Sequence, residues 1–100
     1  MRLLVIYDIG DDGLRGHAAE LLKDFGLQRV QYSAFAGDLT RNRREMMEIR
    51  VEALFAQDSR YRPTDRVYVL PMCDDCFGGA RFLGQQAHFP DRRRDRFEVL

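Results

Sequence analysis

The fold begins with residues 1–12, MRLLVIYDIGDD. The nearly continuous apolar run over residues 3–6 predicts a β-strand from Arg2 to Asp8 that is central in its sheet or covered on both faces. The segment GDDG at residues 10–13 then breaks the strand, and Asp11 or Asp12 can cap the next helix by accepting its free N–H groups. Asp8, a carboxylate at the end of an apolar strand, therefore needs an explanation of its own.

Helix and strand patterns alternate along the rest of the chain. Apolar side chains at spacings of three and four predict one helix that stops at Gly26 and a second that begins at Thr40 or Asn42. The segment QRVQYSAFAGDL at residues 28–39 predicts one long bent strand or two strands meeting at a kink, and RVYVLPM at residues 66–72 predicts the next strand. The predicted buried faces are Leu14, Ala18, Leu21, Leu22 and Phe25 in the first helix, and Met47, Val51, Leu54 and Phe55 in the second.

The order of elements, β-α-β-β-α-β, is that of a ferredoxin-like α+β domain with an antiparallel sheet. In that topology the first strand is central and both helices cover one face, so the open face is left for a partner. A homodimer that pairs the two open faces follows from this arrangement. We assign residues 1–88 to this domain and residues 89–100 to a C-terminal tail. The tail's FEVL predicts a short strand that serves dimer or partner contacts through Phe97, Val99 and Leu100.

The composition fits one small folded domain. A chain of 100 residues with 45% hydrophobic residues can form a core, which argues against a disordered protein. The formal net charge is zero, yet fifteen arginines stand against one lysine. A G+C-rich genome is the simpler explanation of that bias, so the local clusters are more informative than the total. These clusters are Arg41, Arg43 and Arg44, then Arg60, Arg62 and Arg66, and finally Arg92, Arg93, Arg94 and Arg96.

The sequence also predicts where the protein works. The first apolar run is short and interrupted by Asp8, which does not fit a signal peptide. No stretch approaches the length of a membrane span. We therefore expect a cytoplasmic protein with no membrane partner.

Two roles for Asp8 are compatible with its place at the carboxyl end of a central strand. In one, its carboxylate accepts N–H bonds from the following loop or caps the helix. In the other it binds Mg²⁺, which proteins commonly hold with one or two carboxylates while water and phosphate complete its shell. One aspartate per chain supplies few ligands for a metal ion, but a two-fold axis would place Asp8 opposite its own copy. The residues alone leave both roles open.

Cys73 and Cys76 have the spacing of half a zinc site or of a redox pair. Structural zinc takes four ligands, and a second copy would have to supply the other two. A redox pair would be expected at a helix N-terminus after the first strand of a βαβ unit. We therefore interpret these residues as small, partly buried thiols in CDDCFGGA, residues 73–80, which predicts a turn or short helical loop.

Three segments together resemble the CRISPR-associated protein 2 family. They are VIYDI at residues 5–9, Arg15 early in the first helix, and FGLQRVQYSAF at residues 25–35. The resemblance extends over essentially the whole chain, including its length and its apolar tail. It implies a ferredoxin-like homodimer that acts in CRISPR spacer acquisition, in a complex with the CRISPR-associated protein 1 integrase. Several family members are metal-dependent endonucleases that cut single-stranded RNA or double-stranded DNA.

The resemblance also assigns roles to residues. The family's metal-binding aspartate ends the first strand in the YD motif, which makes Asp8 the catalytic and metal-binding residue. Mg²⁺ or Mn²⁺ shared between the Asp8 residues of two chains would polarise a phosphate and activate water for phosphodiester hydrolysis. The first candidate for nucleic-acid binding is Arg15, beside the Asp8 loop, and the next are Arg41, Arg43 and Arg44. We expect them to contact the backbone rather than the bases.

Some features depart from the family pattern or leave other functions open. Where the family often carries Val-Phe-Glu after the serine, this chain has Ala34, Phe35 and Ala36 after Ser33, without the acid. No histidine adjoins Asp8 in sequence, and His17 and His88 fit surface or boundary positions better than that of a base. One alternative function is a non-catalytic dimeric scaffold that holds DNA and the integrase. Another is a toxin-like ribonuclease of the virulence-associated protein D type, which shares the fold.

Overall fold

A computed structural model describes residues 1–81 and residue 83. The elements found there are β1 (Arg2–Asp8), α1 (Asp12–Asp24), β2 (Gln28–Gln31), β3 (Ala34–Asp38), α2 (Arg41–Gln57), β4 (Arg66–Met72) and α3 (Asp74–Gly78). These strands form one antiparallel sheet in the order β2-β3-β1-β4, with β1 inside it. This arrangement confirms the expected ferredoxin-like α+β fold. The short helix α3 occupies the segment for which the sequence predicts a turn or short helical loop.

The central strand β1 presents different residues to the two faces of the sheet. Every second side chain from Leu3 to Tyr7 is buried in the main core, which α1 and α2 cover. The partly buried Leu4 and Ile6 and the exposed Asp8 lie on the other face. The predicted apolar faces of both helices are confirmed, because all of their residues belong to this core or pack against it.

Residues 28–38 form a hairpin, so the chain reverses where the sequence predicts a bend or a kink. Strands β2 and β3 pair antiparallel, and the register shifts between Arg29 and Gln31. Tyr32 and Ser33 form the turn, and the Tyr7 N–H donates to the Ser33 carbonyl at 2.9 Å. Tyr32, which the alternation placed in a strand, is 70% exposed at this turn. The hairpin tip is thereby held against the end of β1 that carries Asp8.

Both long helices are capped by residues that the sequence predicts as caps or helix starts. The Asp11 carboxylate accepts the Leu14 N–H at 2.9 Å and caps α1. The Thr40 hydroxyl accepts the Arg43 N–H at 3.1 Å and caps α2. These contacts satisfy helical N–H groups that would otherwise lack partners.

The face of the sheet opposite α1 and α2, here called the open face, is partly covered by α3. Phe77 of α3 is 1% exposed and packs with Val30, Ala34 and Ala36. Tyr68 and Leu70 of β4 keep 49% and 42% of their surface exposed. The open face therefore retains apolar surface beside β1, as the homodimer hypothesis requires.

Several predictions concern residues outside those that the structure describes. They include the domain boundary at residue 88 and the tail contacts of Phe97, Val99 and Leu100. Within residues 1–81 and 83, no helix has both the length and the hydropathy needed to cross a membrane.

Candidate metal and nucleic-acid site

Asp8 ends β1 with an exposed side chain on the open face. Among the residues that the structure describes, its carboxylate makes no hydrogen bond and no ion pair. Helix α1 is capped by Asp11, and the Gly10 N–H of the following loop donates to Asp65. Neither structural role considered for Asp8 is therefore filled by Asp8.

Asp65 holds the loop that follows Asp8, a role that the sequence analysis missed. Its two carboxylate oxygens accept the Gly10 N–H at 3.0 Å and the Arg62 N–H at 2.8 Å, and the residue is 5% exposed. The Arg62 and Gly10 N–H groups lower the pKa of Asp65. The sequence feature that could have identified Asp65 is its position directly before β4. In an antiparallel pair the start of β4 lies beside the end of β1, which brings Asp65 close to the loop after Asp8.

The donors at Asp8 fit a divalent cation, but one chain provides only part of a site. Carboxylate oxygens are the ligands that Mg²⁺ and Mn²⁺ prefer. Within the described ranges, no group of three or more His, Cys, Asp or Glu side chains could hold a metal ion. A shared site therefore requires a second copy of Asp8, and it stays a prediction.

Two arginines of the second cluster, which the sequence did not single out for nucleic-acid binding, lie at the Asp8 end of the sheet. Arg66 is the direct partner of Asp8 in the β1–β4 register, so both side chains leave the same face. The Arg62 guanidinium lies over the loop, where a Cβ placed on Gly10 would be 3.0 Å from Arg62 Nη1. Both arginines are exposed, and neither forms an ion pair in the part of the chain that the structure describes. Arg66 therefore places a positive charge on the face of Asp8, and Arg62 places one over the Gly10 loop, where it also interacts electrostatically with Asp65.

Arg15 lies at the same end of the sheet as Asp8, as expected from its position in the sequence. Its Nη1 donates to the Ile9 carbonyl at 2.8 Å, and it forms an ion pair with Asp12. The guanidinium is 5.5 Å from the centre of the Tyr32 ring. A surface cleft runs beside these groups, and its lining is Tyr7, Asp12, Arg15, Gly16, Ala19, Arg29 and Tyr32.

Tyr7 belongs to this cleft rather than to the open face, as strand alternation predicts. Its hydroxyl donates to the Tyr32 carbonyl at 3.1 Å. Arg29 donates to the same carbonyl and stacks 4.9 Å from the centre of the Phe35 ring. Tyr7 therefore fixes the hairpin tip and does not share a surface with Asp8.

Arg41, Arg43 and Arg44 lie at the opposite end of the sheet. The amino group of Met1 pairs with Asp38 at 2.7 Å, and Arg44 Nη1 contacts Met1 Sδ at 3.3 Å, so the start of α2 is beside the start of β1. Since a strand rises about 3.3 Å per residue, this end is about 20 Å from Asp8. The structure does not bring these three arginines together with Asp8.

All three arginines have contacts within the domain, and they differ in how available they are. Arg43 donates to the Phe25 carbonyl at 3.3 Å and stacks 5.0 Å from the centre of that ring. Arg44 pairs with Glu48 at 3.0 Å. Arg41, with 87% of its side chain exposed, lies 3.9 Å from Glu45 and is the most available of the three. Their proposed role in nucleic-acid binding stays a prediction.

Cys73 and Cys76 are free and exposed, so the prediction that they are partly buried is wrong. Helix α3 turns Phe77 toward the sheet and presents its first turn to solvent, which a turn predicted from sequence could not specify. His17 is exposed on α1, as expected, whereas His88 lies outside the described residues.

The fold and the position of Asp8 define a class of small ferredoxin-like proteins with an acidic residue at the end of the first strand. Residues 1–79 match the family model described as CRISPR associated protein Cas2. The chain belongs to this family, so the resemblance noted from its motifs is confirmed.

Individual relatives agree with the family match. The chain is 49% identical over 73 residues to a CRISPR-associated endoribonuclease Cas2 of Archaeoglobus fulgidus, covering 73% of this chain and 72% of the relative. It is 42% identical over 91 residues to a CRISPR-associated endoribonuclease Cas2 of Desulforudis audaxviator, covering 91% of this chain and 81% of the relative. The crystal structure of Streptococcus pyogenes Cas2 at pH 6.5 aligns with a TM-score of 0.67 and 25% identity, covering 84% of this chain and 100% of that one.

Proposed function

We propose that this protein is a homodimeric, metal-dependent endonuclease of the CRISPR adaptation machinery that hydrolyses phosphodiester bonds. The observation that carries the proposal is the exposed Asp8 carboxylate, which has no protein partner among residues 1–81 and 83. The relatives from Archaeoglobus fulgidus and Desulforudis audaxviator are named endoribonucleases, which favours RNA as the first substrate to test, and we choose single-stranded RNA. Double-stranded DNA is the second.

The open face provides a reason for dimerisation. Tyr68 and Leu70 expose apolar surface beside β1, and burying it would stabilise a two-fold pair. A two-fold axis on this face would bring the two Asp8 copies toward each other, because Asp8 lies on the same face. The apolar tail would add a strand to a sheet edge in the same assembly.

Each residue around the site has a distinct task in this proposal. The paired Asp8 carboxylates would hold Mg²⁺ or Mn²⁺, which when bound supplies Lewis-acid polarisation of the phosphate and acidifies a water. Arg66 and Arg62 would bind the phosphates that flank the scissile bond, since guanidinium groups match phosphate geometry. Asp65 would position the Asp8 loop through the Gly10 N–H.

The test is hydrolysis of single-stranded RNA and double-stranded DNA by purified protein with Mg²⁺ or Mn²⁺. We expect Asp8→Ala to lower the rate by at least about 100-fold, since disturbing even the outer partners of a metal costs up to that much. Asp24→Ala is the matched control, because Asp24 is an exposed acid at the end of α1. Activity that is unchanged in Asp8→Ala would identify a contaminating nuclease and contradict the proposal.

The position of bound nucleic acid can be tested separately. We expect Arg66→Glu to weaken binding and to reduce the salt dependence by roughly 0.7 to 0.9 in log–log slope for each phosphate that the protein no longer neutralises. Lys23→Glu is the matched control, since it reverses an exposed charge at the end of α1 that is no candidate for nucleic-acid binding. Arg41→Glu tests the alternative surface at the far end of the sheet. Weaker binding by Arg41→Glu alone would place the nucleic acid at the start of α2 and contradict a binding surface centred on Asp8.

A second candidate function is a non-catalytic scaffold for the integrase. It is favoured by the finding that the described residues contain no complete set of metal ligands within one chain. In this case spacer acquisition in cells would continue in Asp8→Ala, whereas Arg66→Glu would still reduce it. Acquisition that requires Asp8 would argue against a purely structural role.

A further inference from the structure

The two cysteines of the chain lie together on the first turn of α3. Cys73 is the N-cap residue, and its sulfur accepts the Cys76 N–H at 3.2 Å. Both thiols are free and exposed, and the sequence contains no other cysteine. The 3.2 Å contact between the Cys73 sulfur and the Cys76 backbone nitrogen places the Cys73 sulfur beside the residue that carries the second thiol. Residues three apart on a helical turn have Cβ atoms about 5–6 Å apart, and a disulfide brings them to about 3.5–4.5 Å. A bond between the two sulfurs therefore requires a local tightening of this turn.

The two thiols are chemically unequal. The hydrogen bond from the Cys76 N–H lowers the pKa of Cys73, and the neighbouring Cys73 sulfur raises the pKa of Cys76. A lower pKa increases the thiolate fraction, and the thiolate is the nucleophile. Cys73 thus has the properties of an attacking thiol and Cys76 those of a resolving thiol.

We propose that Cys73 and Cys76 are a thiol–disulfide exchange site that reacts reversibly with small disulfides of the oxidised-glutathione class. The Cys73 thiolate attacks one sulfur of the small disulfide, forms a mixed disulfide and releases the first small thiolate. The Cys76 thiol then loses its proton to solvent and attacks the Cys73 sulfur, which releases the second small thiolate. The protein loses two thiol hydrogens, and the small disulfide is reduced to two thiols.

The turn that carries the two cysteines belongs to α3, which packs against the sheet. The adjacent Phe77 seats α3 against the open face, and Arg2 pairs with Asp74 at 3.2 Å. A disulfide at residues 73 and 76 would therefore fix the turn that holds Phe77. Thiol–disulfide exchange at this turn does not involve Asp8, so it does not depend on nuclease activity.

The experiment titrates the full chain with mixtures of oxidised and reduced glutathione and follows intact mass and free thiols. We expect the loss of both thiols with a mass lower by two hydrogens, no covalent dimer, and full reversal by excess reduced glutathione. Retention of both thiols at every ratio would overturn the proposal. So would disulfides formed only between chains, or zinc that remains bound to the thiols of the purified protein.

Single substitutions test the order of attack. Cys76→Ser should accumulate one glutathione on Cys73, because the resolving thiol is missing. Cys73→Ser keeps an oxygen acceptor at the N-cap. Its Cys76 should react more slowly than Cys73 does in Cys76→Ser, because among the described residues it is the Cys73 sulfur that accepts an N–H bond stabilising its thiolate. Circular dichroism serves to check that both variants are folded. Equal rates for the two single-cysteine variants would overturn the assignment of Cys73 as the attacking thiol.

Discussion

Phe77→Ala tests whether α3 is an integral part of the domain. Phe77 is 1% exposed, and it packs against the buried Val30, Ala34 and Ala36. Replacing a buried Phe by Ala typically costs about 3 to 5 kcal/mol. Because the partly buried side chains around it, such as Met72, can collapse into the space, we expect the lower end, about 3 kcal/mol. For a domain of this size that corresponds to a fall in Tm of about 12 to 24 °C.

The assay is urea and thermal unfolding followed by circular dichroism, with both proteins at one concentration because a dimer's stability depends on it. Leu83→Ala is the control, since Leu83 is 84% exposed and its loss should change stability by no more than about 0.5 kcal/mol. A change below about 1 kcal/mol for Phe77→Ala would show that α3 does not complete a core on the open face.

Three further substitutions test single contacts, each by urea unfolding. Asp65→Asn should lower stability at pH 7. The pKa of Asp65 is lower in the folded protein than in the unfolded chain, where it is about 3.9. The stabilisation is therefore complete above about pH 4 and is lost as the pH falls through the lowered pKa of the folded state, so the difference from wild type should shrink in acid. A difference that is constant with pH would contradict this. Gly26→Ala should cost about 1 kcal/mol, because Gly26 has φ of +91° and only backbone strain opposes a Cβ there; an unchanged midpoint would refute it. Tyr7→Phe should cost about 1 kcal/mol by removing the hydroxyl bond to the Tyr32 carbonyl, and equal stability of the two proteins would show that this bond does not hold the hairpin tip.

Sequence patterns predicted the fold where local rules act. The apolar run before Asp8, the helical spacing of Leu14 to Phe25 and the cap at Asp11 each correspond to observed elements. The hairpin at residues 28–38 is ambiguous in the sequence because its turn, Tyr32 and Ser33, contains no glycine to mark a reversal. Alternation in hydropathy then fits a long strand as well as two short ones.

The site was less predictable because it depends on register between distant segments. Arg66 faces Asp8 only because β1 and β4 pair antiparallel with one register, which the sequence does not state. Arg43 is a sequence candidate for nucleic-acid binding, yet it contacts Phe25, the C-cap residue of α1, through tertiary packing. The exposure of Cys73 likewise depends on how α3 seats Phe77.

The most direct test of the shared site is the number of Mn²⁺ ions bound per chain, measured by isothermal titration calorimetry without nucleic acid. Two Asp8 carboxylates around one ion predict one Mn²⁺ for every two chains, and no binding in Asp8→Ala under the same conditions. Asp24→Ala should bind as the unmodified chain does. One ion per chain, or a stoichiometry that Asp8→Ala leaves unchanged, would contradict a metal held between paired Asp8 residues.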